Sequence, residues 1–284
     1  MKTLLLFILI FITHAGFTQP TSFSVTVTGK GQPVILIPGF SCSGDVWNET
    51  VDHLKDHYQC HVLTLPGFAG VAPIKTPVLQ TVRDEIIRYI NDQKLKRPML
   101  IGHSLGAFMG LWISSKAPSL LSKLICVDGV PFISAMSNPA ITADSLTKNP
   151  MFNAEAVAQN FVNMPAASYE ANMTKSMLWQ VSDSTRAQQI AHWSAMSDRR
   201  TLGYTYVEMS TTDLRNDIAA IQTPTLVLGS LYFNSEATTE RVLNEQYKLL
   251  KPKTIRVAHT KHFIMYDDPN WFYQQIDQFL SSSN

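Results

Sequence analysis

The chain has 284 residues, with 23 basic and 22 acidic side chains, a formal net charge of +1 and a 45% share of hydrophobic residues. Charge this balanced, with no basic or acidic run, excludes a nucleic-acid-binding face, which needs clustered Lys and Arg. Once the first residues are set aside, the length fits one large α/β domain better than two small ones.

Residues 4–12 are an unbroken apolar run behind Met1-Lys2-Thr3, and residues 13–19 are small and polar. That is the pattern of a secretory signal peptide, too short for a comfortable membrane span. It predicts a signal segment over residues 1–18, a secreted or periplasmic protein, and no stable membrane insertion after cleavage. Residues 23–28 then alternate apolar and polar, residues 29–31 are a Gly-Lys-Gly turn, and residues 33–37 are continuously apolar. This predicts a strand, a tight turn and a buried strand. A helix is expected over 45–58, with Asp45 as its cap, then a strand over 60–65 and a helix over 78–93. The run 99–101 is the next strand, 107–117 a small and apolar helix, and 124–127 another buried strand. Continuous apolar strands alternating with amphipathic helices predict a mostly parallel sheet with helices on both faces.

The rhythm breaks after Pro131. From residue 132 to 213 no buried strand stands out, and seven methionines fall among segments of helical character. This stretch is read as an inserted helical cap, and residues 19–131 with 214–284 as the core. Strands are expected again at 225–228 and 254–257, and helices at 237–250 and 271–280. The three cysteines are Cys42, Cys60 and Cys126. Export makes a Cys42–Cys60 pair conceivable, while Cys126 reads as a small core residue. No Cys/His spacing resembles a zinc site, and no metal or organic cofactor is implied.

The chemistry gathers at Gly102-His103-Ser104-Leu105-Gly106. This is G-x-S-x-G between a strand and a helix, the context that motif requires. A serine on so tight a turn sits at strained dihedrals, and glycine on either side lets neighbouring backbone pass close. Serine needs a base to take its proton. His262, just beyond the last core strand, is the best candidate, because loops after parallel strands gather on one edge of the sheet. His259 is its competitor. His103 is expected to be structural, and His53, His57, His61 and His192 to lie at the surface.

GHSLG, the strand-and-loop ILIPGF, and the ending HFIMYDDPNWFYQQIDQFL resemble the α/β-hydrolase superfamily, of the esterase, lipase and C–C hydrolase kind. The resemblance covers about residues 31–131 and 223–280. It implies the α/β-hydrolase fold with the helical cap inserted after the sixth strand, Ser104 as nucleophile, His262 as base, and the backbone amides of Phe40 and Leu105 as an oxyanion hole. The acid departs from the pattern. Its commonest place is the loop after TLVLG, which holds no aspartate among residues 230–236. Asp128 at the end of the preceding strand could serve, Asn234 or Glu236 could orient the imidazole, or the triad is incomplete. Asp267 and Asp268 read as capping or surface charges.

Phe132, Trp179 and Trp193 are the aromatic candidates for substrate binding in the cap. An apolar lining implies a small to medium hydrophobic ester or acyl substrate. The function expected is therefore an exported carboxylesterase-like serine hydrolase working through an acyl-enzyme. The alternative is a binding protein on a degenerate hydrolase scaffold, motivated by the missing aspartate.

Overall fold

A computed structural model describes residues 21–231 and 235–282. The expected signal segment and Asn234 lie outside the described residues. Among the described residues seven strands form one sheet: β1 (Ser24–Gly29), β2 (Gln32–Ile37), β3 (Tyr58–Thr64), β4 (Met99–His103), β5 (Lys123–Val127), β6 (Thr225–Ser230) and β7 (Lys253–Ala258). Their spatial order is β1-β3-β2-β4-β5-β6-β7. Only β1 runs antiparallel to its neighbour; the other pairs are parallel.

Side-chain alternation splits the core in two. Ile35, Ile37, Leu100 and Leu124 face α2 (Val78–Asp92) and α3 (Leu105–Lys116), while Val34, Leu36, Ile101 and Ile125 face α1 (Asn48–Leu54) and α11 (Pro269–Ser281). Burial on both faces is why β2, β4 and β5 read as unbroken apolar runs. Each such side chain contributes about 1.5–3 kcal/mol through removal from water. A Cβ at Gly110 on α3 would stand 2.7 Å from Leu124 and 2.8 Å from Leu100, so the absence of a side chain lets this helix lie close on the sheet. Buried Lys123 donates to the carbonyls of Phe279, Leu280 and Ser282 at the end of α11, tying the last helix to β5.

Two expected helices are shorter than their spacing suggests. The first ends at Leu54, because Tyr58 is taken into β3, where it pairs with Gln32. A short turn of helix over Gly44–Trp47 precedes it, capped by Ser43 and not by Asp45. The helix expected to reach residue 250 is α9 (Glu236–Gln246).

Between β5 and β6 the chain is helical: α4 (Ala143–Thr147), α5 (Ala154–Asn163), α6 (Ala166–Met177), α7 (Ser184–Met196) and α8 (Arg199–Thr211). Among the described residues this segment follows the fifth strand and not a sixth, since one antiparallel strand, β1, and four parallel strands precede it. In it, α5 packs on α8 and α6 on α7. Partly buried polar contacts hold it to the core. Glu208 on α8 accepts from the Val78 and Leu79 amides at the start of α2, at 2.8 and 2.7 Å. The Asp198 amide donates to the Gly67 carbonyl, and the Ala69 amide to Ser197 Oγ. After β7 comes α10 (Ile264–Asp267), whose Asp267 accepts from the amide and hydroxyl of Ser182. Asp268 caps α11 through the Trp271 amide.

Candidate active site

Ser104 joins β4 to α3 at φ 52° and ψ −112°. This is a left-handed conformation that costs a non-glycine residue about 1–3 kcal/mol. The flanking glycines explain how the turn is packed. A Cβ at Gly102 would meet the Gly106 carbonyl oxygen at 2.2 Å, and a Cβ at Gly106 would meet the Ile37 carbonyl oxygen at 2.2 Å. Both contacts are with backbone, so nothing larger than glycine fits. The Ser104 amide is held by the Val127 carbonyl at 2.8 Å.

His262 and Asp128 meet beside this turn. His262 Nδ1 stands 2.6 Å from Asp128 Oδ2, with side-chain exposures of 17% and 13%. Asp128 follows β5 directly at φ 46°. Its amide donates to the Leu228 carbonyl at 2.7 Å. Ser230, the last residue of β6, donates its N–H to Asp128 Oδ1 and its hydroxyl to Asp128 Oδ2, each at 2.8 Å. A carboxylate with three donors on two oxygens is well satisfied for a group this buried. The other acids stand elsewhere: Glu236 pairs with exposed His259 at 3.0 Å.

His103 is fully buried behind the pair, its ring 4.5 Å from that of His262 and 4.6 Å from Phe263. Burial first, and the His262 imidazole second, push it well below the usual histidine range. It is therefore neutral, and its Nε2–H donates to the His262 carbonyl at 3.1 Å. His61, expected at the surface, is buried instead, with Tyr89 and Gln59 on its two ring nitrogens.

Leu105 is the first residue of α3, where no preceding helical carbonyl can accept its N–H. The loop carrying Phe40 presses on the serine turn: a Cβ at Gly39 would lie 2.8 Å from His103 Nδ1 and 3.4 Å from Ser104 Cβ. Phe40 and Ser104 line one cavity of about 610 Å³, together with Asp128 and His262.

Its wall is apolar and rich in methionine: Met136, Met164, Met173, Met177 and Met209 come from the helical segment, and Phe40 and Phe108 from the core. Among the described residues, no lysine, arginine or glutamate lines it. The three cysteines are free and buried; Cys42 lies in the cavity wall, and burial pushes its thiol up to about 12.

None of the three expected aromatics is part of this wall. Phe132 is fully buried against Ala135 and Leu146, under the Arg215 guanidinium. Trp193 packs into the core on the α11 side of the sheet. Trp179 stands 84% exposed just past the end of α6. The aromatics that do line the cavity include Phe161, Tyr169 and Tyr206 from the helical segment, beside Phe40, Phe108 and Phe263. Tyr169, Met173 and Met177 recur every fourth residue along α6, a spacing that places them on one helical face and could have found that wall.

A family model described as "Alpha/beta hydrolase family" matches residues 34–275. The chain is 26% identical over 271 residues to a pimeloyl-[acyl-carrier protein] methyl ester esterase of Aeromonas hydrophila, covering 91% of this chain and 99% of that protein. It is also 26% identical over 164 residues to the protein of that name from Vibrio cholerae, covering 57% of this chain and 58% of that one. The chain spans about half the length of such Vibrio relatives; for those of Vibrio atlanticus and Vibrio campbellii the shares are 43% and 41%. By name, these relatives act on an ester. Among solved structures, an esterase from Exiguobacterium antarcticum matches with a TM-score of 0.75 at 15% identity, covering 92% of this chain and 96% of that one. The enol-lactonase from Burkholderia xenovorans LB400 matches with a TM-score of 0.74 at 12% identity, with the same coverages. At those identities the structures speak for the fold alone. With the matched model running from within β2 through β7, and so over the serine turn and His262, the chain belongs to the alpha/beta hydrolase family.

Proposed function

We propose that the chain is an exported serine hydrolase that cleaves an uncharged carboxylic ester through an acyl-enzyme. The observation that supports this most is the 2.6 Å contact between His262 Nδ1 and Asp128 in the wall of the cavity that Ser104 also lines. With Nδ1–H donating to the carboxylate, the neutral imidazole carries its lone pair on Nε2. Nε2 would take the Ser104 proton as Oγ attacks the ester carbonyl, then return it to the leaving alcohol; a positioned base of this kind is worth roughly 10²–10⁴ in rate. The Phe40 and Leu105 amides would hold the oxyanion, each contributing about 3 kcal/mol. Water then releases the acid by the same relay, so side chains and water suffice for every step.

The substrate class follows from the wall. A mostly apolar cavity with no lysine or arginine among its described lining residues favours a neutral hydrophobic acyl or alkyl group and penalises a carboxylate, whose burial without a partner is costly. An ester substrate also agrees with the names of the relatives. Residues 132–213 would act as the cap that closes this space over the serine.

The test is a fluorophosphonate probe followed by peptide mapping, then a panel of aryl esters with neutral or anionic acyl chains. Labelling at Ser104 and preference for neutral medium-length chains are expected. A folded protein that does not label would favour the binding-protein alternative.

A further inference from the structure

Ser230 holds the acid from the neighbouring strand. It is fully buried, and it gives both of its donors to one carboxylate, N–H to Asp128 Oδ1 and Oγ–H to Asp128 Oδ2. Oδ2 is also the oxygen that meets His262 Nδ1. Asp128 stands just past the end of β5 at a positive φ, so neither helix nor strand geometry fixes the plane of its carboxyl group. The flat terminal torsion of an aspartate is broad and roughly two-fold. A bond to His262 alone would leave the carboxylate free to swing about that torsion. Two donors from one rigid strand end grip both oxygens and define the plane.

We propose that Ser230 is a positioning residue for the base–acid pair. Its hydroxyl orients the Asp128 carboxylate so that Oδ2 faces His262 Nδ1, and it shares the charge on that oxygen. The loop after this strand is where the family resemblance implies the acid most commonly lies. Here the strand end supplies a hydroxyl, which serves the carboxylate brought by β5. The inference rests on the reading of Ser104, His262 and Asp128 as the reacting set.

The test compares Ser230→Ala, Ser230→Cys and Ser230→Thr in the full chain. Alanine keeps the backbone donor and removes only the hydroxyl; cysteine keeps the volume with a weak donor, should alanine fail to fold; threonine keeps the hydroxyl. Loss of a hydrogen bond to a charged group predicts a fall in kcat of about ten- to a hundredfold for Ala and Cys, with KM unchanged. Threonine should stay within a few-fold of wild type. The second readout is the downfield proton resonance of the His262 Nδ1–H in water. It should move in Ser230→Ala and Ser230→Cys and stay in place in Ser230→Thr. A folded Ser230→Ala or Ser230→Cys protein with wild-type kcat, or with the resonance unmoved, would overturn the inference. The resonance needs no turnover, so a chain that fails to label with fluorophosphonate but shows the shift would refute the esterase reading and leave the positioning role standing.

Discussion

Replacing Asp128 with Asn tests the site at its most informative point. The amide is isosteric, so it can sit in only two orientations. If its oxygen stands where Oδ2 is, it can still accept from His262 Nδ1–H, but its NH₂ then faces the Ser230 amide N–H, donor against donor. Leaving a buried donor unmade costs about 1–3 kcal/mol. The flipped orientation satisfies the Ser230 amide and turns NH₂ toward Nδ1. The imidazole must then carry its proton on Nε2, where it cannot accept one from Ser104. The working tautomer is thus suppressed by roughly 10–10². The variant also lacks the charge that stabilises imidazolium, an attraction of up to about 4 kcal/mol at an effective dielectric of 20. Together these give a loss in turnover on the order of 10³–10⁴, with a far smaller change in stability. Aryl-ester hydrolysis at saturating substrate and a urea melt measure the two. An Asn variant within tenfold of wild-type turnover would refute the reasoning.

Three further outcomes are expected. Gly106→Ala places a Cβ 2.2 Å from the Ile37 carbonyl oxygen, so the urea midpoint should drop by the equivalent of about 1–3 kcal/mol or more, and labelling of Ser104 should fall with it; a wild-type midpoint would contradict the packing argument. Glu208 is pushed above its ordinary value of 4.5, chiefly by burial, with the Leu79 and Val78 amides opposing. A raised carboxyl contributes stability that is complete below that ordinary value and is lost as pH rises through the folded one, so the stability of wild type relative to Glu208→Gln should fall from pH 4.5 upward and then level off. A relative stability that climbs over that range would reverse the sign. Export with cleavage of residues 1–18 predicts a mature chain starting near residues 18–20, and Edman sequencing that finds Met1 on the exported protein would count against it.

Most of the sheet was legible because its strands are buried on both faces and bounded by Gly and Pro. The serine turn was legible for a steric reason, since two glycines around one serine have little other use between a strand and a helix. What failed did so where long-range contacts override local spacing. The helical spacing of Thr50, Leu54 and Tyr58 is genuine, yet Tyr58 joins β3 between β1 and β2. Gly31, at φ 113°, packs where a Cβ would lie 2.2 Å from the His57 carbonyl, and that close approach is invisible to a window of sequence. His61 reads as a surface residue until β3 turns it toward Tyr89 on α2. In the helical segment, residue type is a poor guide: the large aromatics suggest substrate contacts, while the face of each helix decides the matter. Trp179 lies just past the end of its helix and faces solvent, whereas the Tyr169–Met173–Met177 stripe faces the cavity.

Under the proposed function, Asp128 shows how such a site would tolerate relocation of its acid. β5 and β6 are parallel neighbours paired from Leu124 with Thr225 to Val127 with Leu228. The residue after one strand end therefore lies about one strand spacing, ~4.8 Å, from its counterpart on the other. An aspartate side chain and one hydrogen bond together span that gap. Asp128 exploits this: its amide bonds Leu228 across the ladder, its positive φ turns the chain, and its carboxylate crosses to His262 over the end of β6. The end of β6 in turn gives the Ser230 N–H to Oδ1. What a histidine base would require is a carboxylate oxygen at hydrogen-bonding distance from Nδ1 and donors to hold it there. Either strand can meet that requirement if the other supplies the donors, which is why the missing aspartate after TLVLG is weak evidence for a degenerate site.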